Sequence, residues 1–157
     1  MKKESSNADK MTLDFCAVVC KILKISVPKV EVNPHAMKTR TQIAAITNEG
    51  VIIKSNTFSM DIGFAIAHEL LHKYQIENNR FPLSNYKIVG SVDTDEYNQQ
   101  NEEIDANAFA AIVMKALFGV QPLFNNCSET VKHNIQVRMT EIETAVYNRI
   151  YEVLFPI

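Results

Sequence analysis

The stretch Ala65-Ile-Ala-His68-Glu69-Leu70-Leu71-His72-Lys73-Tyr74 constrains this chain more than any other, because it sets two histidines four residues apart in a run free of Gly and Pro from Phe64 to Arg80. The run is rich in Ala and Leu and predicts a helix. Residues four apart share a helix face, so His68 and His72 can offer two imidazoles to one metal ion. Glu69 lies about 100° further round. From there it can reach a water on the metal without competing as a ligand, the place of a general base. H-E-x-x-H arises by chance in on the order of one in a hundred or more chains this long, so the motif needs support from elsewhere. Some comes from its neighbours Ile62, Phe64, Ile66, Leu70 and Leu71, which demand burial. Two buried imidazoles without partners would be costly, and a metal satisfies both.

At 157 residues the chain is expected to form a single domain, with a core that needs no disulfides. A formal net charge of −2 argues against a broad surface for nucleic acid or anionic membrane. The cysteines, Cys16, Cys20 and Cys127, are odd in number and lack scaffold spacing, which suits a reducing compartment. Cys16 and Cys20 stand four apart on an expected helix and read as small buried hydrophobes. The first residues are basic, but no apolar stretch of signal-peptide length follows, and no apolar run approaches the ~18–20 residues that span a bilayer. A cytoplasmic protein is expected.

Residues 1–9 are polar and expected to be disordered. Leu13, Phe15, Cys16, Val19, Cys20 and Leu23 recur at helical spacing, with Asp9 or Thr12 as N-cap. This one helix is too short for a DNA-reading helix-turn-helix. Lys29–Asn33, between Pro28 and Pro34, alternates like a strand, and His35 follows in an exposed turn. Gln42–Thr47 and Val51–Lys54 read as two further strands joined by a turn at Asn48-Glu-Gly50. A helix is expected from Met60 to Glu77, then a long loop over 78–101 flanking the cleft. The next helix runs to Phe118 and stops at Gly119, with Ala106, Phe109, Ala110, Val113 and Leu117 as its buried stripe. A last, long helix opens at Ser128, with Val131, Ile135, Met139, Ile142, Val146, Ile150 and Val153 as a stripe that suits a core better than a dimer seam. Three short strands followed by helices make an α+β layout with a small three-stranded sheet. Monomer and dimer both remain open.

A catalytic zinc takes three protein ligands and keeps a position for water. The metzincin continuation wants Gly and His three and six residues beyond His72, where this chain has Gln75 and Asn78. The next helix opens on Glu102, Glu103 and Asp105. Glu103 has the best case, since Asn107 four residues on shares its face and can support a ligand, while Ala106 and Ala110 permit close approach. Asp105 is the alternative, and an acidic first turn also suits any helix N-terminus. His133 and Cys127 lack the spacing to fill a closed structural site.

The pairing of Ala67-His68-Glu69-Leu70-Leu71-His72 with Glu103-Ile-Asp-Ala-Asn-Ala-Phe-Ala-Ala111 resembles the ImmA/IrrE family of metallopeptidases, whose ligand helix reads approximately Glu-x-Glu-Ala-Asn-x-Phe-Ala-Ala. The resemblance covers roughly residues 25 to 120. Asp105 stands where the family usually has Glu, and the end of the ligand helix is only loosely echoed by Val113–Leu117. The resemblance implies a zincin-like core with Zn²⁺ on His68, His72 and Glu103, and Glu69 as base. It further implies a cytosolic protease of a bacterium, phage or mobile element, acting on a protein such as a helix-turn-helix repressor, without binding nucleic acid or membrane itself. Tyr74, Tyr86, Tyr97 and His133 are the candidates to steady the oxyanion. The rival expectation is a metal-containing binding module that sequesters a partner with little proteolysis.

Overall fold

The computed structural model describes residues 8–39, 41–80 and 85–157. Helix α1 (Lys10–Leu23) starts where Asp9 accepts hydrogen bonds from the Thr12 N–H at 2.8 Å and the Thr12 hydroxyl at 2.6 Å. The other Asp9 oxygen takes the Phe58 N–H at 3.0 Å, tying this helix start to the chain ahead of the motif helix. Of residues 1–9, Ala8 is buried and Asp9 is this cap, while 1–7 lie outside the described residues. Cys16 and Cys20 are fully buried and unoxidised, facing the core beside Phe15 and Val19.

Strands β1 (Lys29–Val32), β2 (Ala44–Thr47) and β3 (Gly50–Ile53) form a mixed sheet in the order β1-β3-β2. β1 runs parallel to β3, and β2 antiparallel to it through a hairpin in which Thr47 faces Gly50. A 3-10 turn at Pro34–Ala36 carries His35 to the surface. Val51 and Ile53 turn into the core, as their β-branched side chains on alternate positions require.

Helix α2 (Met60–Glu77) is capped by the Ser59 hydroxyl, which accepts the Ile62 N–H at 3.2 Å. It packs on α1, on β2 and β3, and on α4 (Asn101–Phe118). Ile62, Ile66 and Leu70 on its inner face are buried, each worth about 1.5–3 kcal/mol against exposure. Helix α4 is buried almost all round from Glu103 to Met114, because α2 lies on one side of it and α5 (Glu129–Leu154) on the other. That is why its buried set exceeds the single stripe expected from spacing, and why Leu117, near its end, is only half-buried. Along α5, Val131, Ile135 and Ile150 are buried and Met139, Ile142, Val146 and Val153 half-buried against α4 and α1, so this stripe belongs to the core.

Between α2 and α4 the chain carries a further short helix, α3 (Thr94–Asn98), whose N-cap Asp93 accepts the Glu96 N–H at 2.8 Å. The polar run that reads as loop in the sequence thus holds one capped turn of helix. Phe81-Pro82 of the same segment lie outside the described residues. Among the described residues, no helix is long and apolar enough to cross a membrane.

Gly50 opens β3 at a φ of 150°, and a Cβ there would stand 2.1 Å from the Lys29 carbonyl oxygen of the neighbouring strand. The expected turn residue is therefore a strand residue that must be glycine for β1 to pair. Gly50→Ala is expected to destabilise the protein by roughly 1–3 kcal/mol, read from the denaturant midpoint.

Candidate metal centre

His68 and His72 stand one turn apart on α2 with ring centroids 4.8 Å apart and their Nε2 atoms 3.1 Å apart. The first turn of α4 brings Glu103 to both. Its Oε2 lies 2.9 Å from His68 Nε2 and its Oε1 2.9 Å from His72 Nε2. The Glu103 side chain is 1 % exposed and that of His68 13 %. The three residues are the group among the described residues that could hold a metal ion.

The far side of each imidazole is held by an amide. The Asn107 Oδ1, one turn beyond Glu103, lies 2.8 Å from His68 Nδ1, and the Gln75 Oε1 lies 2.8 Å from His72 Nδ1. The Gln75 amide group donates to the Glu102 carbonyl at 3.2 Å, so its oxygen must face the histidine. An amide oxygen only accepts, so His72 donates its Nδ1–H to Gln75 and turns Nε2 inward, where it is available to a metal. Asn107 does the same for His68.

Two inward nitrogens and a carboxylate thus converge on one buried point that requires a cation. One candidate is a proton. Burial opposes charge on His68, but the Glu103 carboxylate, through its charge and its hydrogen bond, more than offsets this and lifts the imidazole pKa to about 9. For Glu103, burial works against ionisation, yet His68 and His72 outweigh it and hold the carboxyl below the ordinary range. The other candidate is a divalent metal. Ligand atoms about 2.0–2.2 Å from a tetrahedral zinc stand roughly 3.3–3.6 Å from one another, a few tenths of an ångström wider than the 2.9–3.1 Å found here. Two imidazoles and a carboxylate, each oriented from behind, form a suitable donor set for such an ion.

Glu69, next to His68, lines the same cleft of about 360 Å³. Burial raises its pKa, while His68, His72 and the Ile46 backbone N–H of β2 act in the opposite direction. The cleft is bounded by Ala44 of β2, by Phe64 on α2, and by Val89, Val92 and Tyr97 from the segment between α2 and α4. Tyr97 and Tyr86 both direct their hydroxyls at Glu103 Oε1, Tyr97 at 2.9 Å and Tyr86 in closer contact.

The expected grouping of His68, His72 and Glu103 is present. Asp105, the alternative to Glu103, points away and pairs with Arg138 on α5. Glu102 contributes only its backbone carbonyl. Asn107 supports His68 rather than Glu103. His133 is exposed on α5, and Tyr74 lies under the Arg80 guanidinium, so neither lines the cleft. Gln75 was not anticipated; its signal was its place three residues beyond His72, within reach on the same helix. The Ile46 contact has no sequence signal, since it depends on which edge of the sheet faces α2.

No family model, curated protein or solved structure matches this chain at a meaningful level.

Two outcomes follow. Gln75→Ala or Asn107→Ala should weaken metal binding by about 10- to 100-fold, measured by competition with a chelator. In metal-free protein the His68–Glu103 pair sets a pH dependence. The folded pKa of His68 lies above the ordinary ~6.5, so its stabilisation is complete below about pH 6.5 and is lost as pH rises through about 9. The thermal midpoint of chelator-treated protein should fall across that window, and the dependence should vanish in His68→Gln.

Proposed function

We propose that this chain is a zinc-dependent metallopeptidase with a zincin-like core, of the ImmA/IrrE kind that its paired motifs resemble. The observation that carries the proposal is the convergence of His68, His72 and Glu103 on one point, with Glu69 beside it in an open cleft. A purely structural site has no use for a carboxylate base next to the metal.

His68, His72 and Glu103 would hold the ion, oriented by Asn107 and Gln75. A bound zinc supplies Lewis-acid polarisation of a scissile carbonyl and acidifies an attacking water. Glu69 would take the proton of the attacking water and return it to the leaving amine.

The sheet supports a peptide as substrate. The Lys54 N–H bonds the Ile43 carbonyl at 2.8 Å, and in an antiparallel pair such bonds alternate. With the observed register, Ala45 and Thr47 bond to β3, whereas Ala44 and Ile46 turn their backbone groups to the outer edge. Ile46 uses its N–H on Glu69, and Ala44 lines the cleft. An extended peptide can add to this edge by main-chain hydrogen bonds while its carbonyl reaches the metal position. The proposed setting is cytoplasmic, and the proposed substrate is a regulatory protein such as a helix-turn-helix repressor of a phage or mobile element.

Metal analysis should find about one zinc per chain, and cleavage of a repressor encoded beside the gene should depend on it. Glu69→Gln should keep zinc and lose cleavage by about 100-fold or more, whereas Glu103→Ala should lose zinc affinity. Zinc without cleavage would place a metal-containing binding module ahead. Absence of metal uptake would overturn both.

A further inference from the structure

Two tyrosine hydroxyls meet the ligand carboxylate, and their hydrogen-bond arithmetic separates their roles. Glu103 Oε1 receives the Tyr97 hydroxyl at 2.9 Å and the Tyr86 hydroxyl in closer contact, and the two phenol oxygens are 3.0 Å apart. Each phenol has one proton, so two protons serve three contacts. One contact is always surplus, and the carboxylate oxygen stays hydrogen-bonded if either phenol turns away.

Their positions decide which is released. Tyr86 is anchored behind the carboxylate. Its ring meets the His72 ring edge-on at 6.3 Å, and the next residue is clasped by Gln100. The Lys87 N–H donates to Gln100 Oε1 at 2.7 Å, and the Gln100 amide donates back to the Lys87 carbonyl at 2.9 Å. Tyr97, on α3, lines the cleft together with Glu69, whereas Tyr86 does not. Of the two phenols, Tyr97 is thus the one that both touches Glu103 and lines the cleft beside Glu69.

We propose that Tyr97 donates the hydrogen bond to the substrate oxygen that becomes anionic, while Tyr86 acts as a positioning residue that keeps Glu103 in place; this rests on the zinc-hydrolase reading above. Tyr97 is then a catalytic residue supplied by the segment between α2 and α4. No proton is transferred in this step, because the phenol only redirects its O–H from Glu103 to the oxyanion.

The test uses purified full-length protein loaded with zinc, and acetohydroxamate as a small metal-directed probe with an anionic oxygen. Zinc affinity is read by competition with a chromogenic chelator and probe affinity by calorimetry. Tyr97→Phe should leave zinc affinity within about 3-fold of the parent and weaken acetohydroxamate by roughly 10- to 100-fold. Tyr86→Phe should weaken zinc more than Tyr97→Phe does, because Tyr86 is the phenol that packs on the His72 ring beside Glu103, with probe affinity nearly unchanged on saturated protein. Should Tyr97→Phe fail to fold by circular dichroism, Tyr97→His, which keeps a donor, should bind the probe more tightly than Tyr97→Leu. Equal probe affinity in the parent and Tyr97→Phe, or in the His and Leu variants, overturns the proposal, as does zinc loss in Tyr97→Phe matching that in Tyr86→Phe. Failure of the parent itself to take up zinc, or of its zinc form to bind the probe, overturns instead the hydrolase reading beneath it.

Discussion

The structure depends on one buried encounter, the Glu103 carboxylate between two imidazoles of α2. A carboxylate that is almost wholly buried is tolerable only with positive charge and donors around it. His68, His72 and the two tyrosines provide them, and a metal would do so more completely. Glu103 also lies in the first turn of α4, where the unpaired N–H groups of the helix favour negative charge. The encounter requires α2 and α4 to run close together. Small residues allow this. Ala67, Ala106 and Ala110 are fully buried, and a Cβ on Gly63 would approach the Met114 sulfur to 3.2 Å and its methyl carbon to 3.1 Å. The helix crossing and the chemistry are thus the same piece of packing.

Around this centre stands a layer of polar groups whose orientation is determined by their other partners. Gln75 is fixed by the Glu102 carbonyl, and through it the start of α4 is tied to the histidine helix. Asn107 lies one turn beyond Glu103, so one helix supplies both a ligand and the support for another ligand. The segment between α2 and α4 closes the far side through Tyr86 and Tyr97. Among its described residues, the Gln100 clasp and the capped turn of α3 supply local anchoring.

Sheet and helices divide the remaining work. The central strand β3 carries the buried Val51 and Ile53, while β2 stands at the sheet edge and contributes Ala44 to the cleft wall. The Ile46 backbone N–H is hydrogen-bonded to Glu69, which ties the proposed base to the sheet edge. Helices α1 and α5 complete the core behind α2 and α4 without touching the cleft.

Local patterning determined a good deal. The Gly- and Pro-free run and the four-residue spacing of His68 and His72 dictate α2 and its paired imidazoles, because helix geometry is a property of the chain alone. Gly119 in the left-handed conformation likewise ends α4 where expected. The preference for Glu103 over Asp105 could be argued from the Asn107 spacing, but which face of α4 meets α2 is a matter of packing: Asp105, two residues and about 200° round the helix from Glu103, faces α5 and pairs with Arg138. Four aromatic and histidine candidates were indistinguishable by composition. Only the path of the chain from α2 to α4 brought Tyr86 and Tyr97 to the carboxylate and left Tyr74 and His133 elsewhere. The short α3, the parallel pairing of β1 that makes Gly50 obligatory, and the Ile46 contact have the same origin. Each is set by which distant surface meets which, and periodicity along one segment carries no information about that.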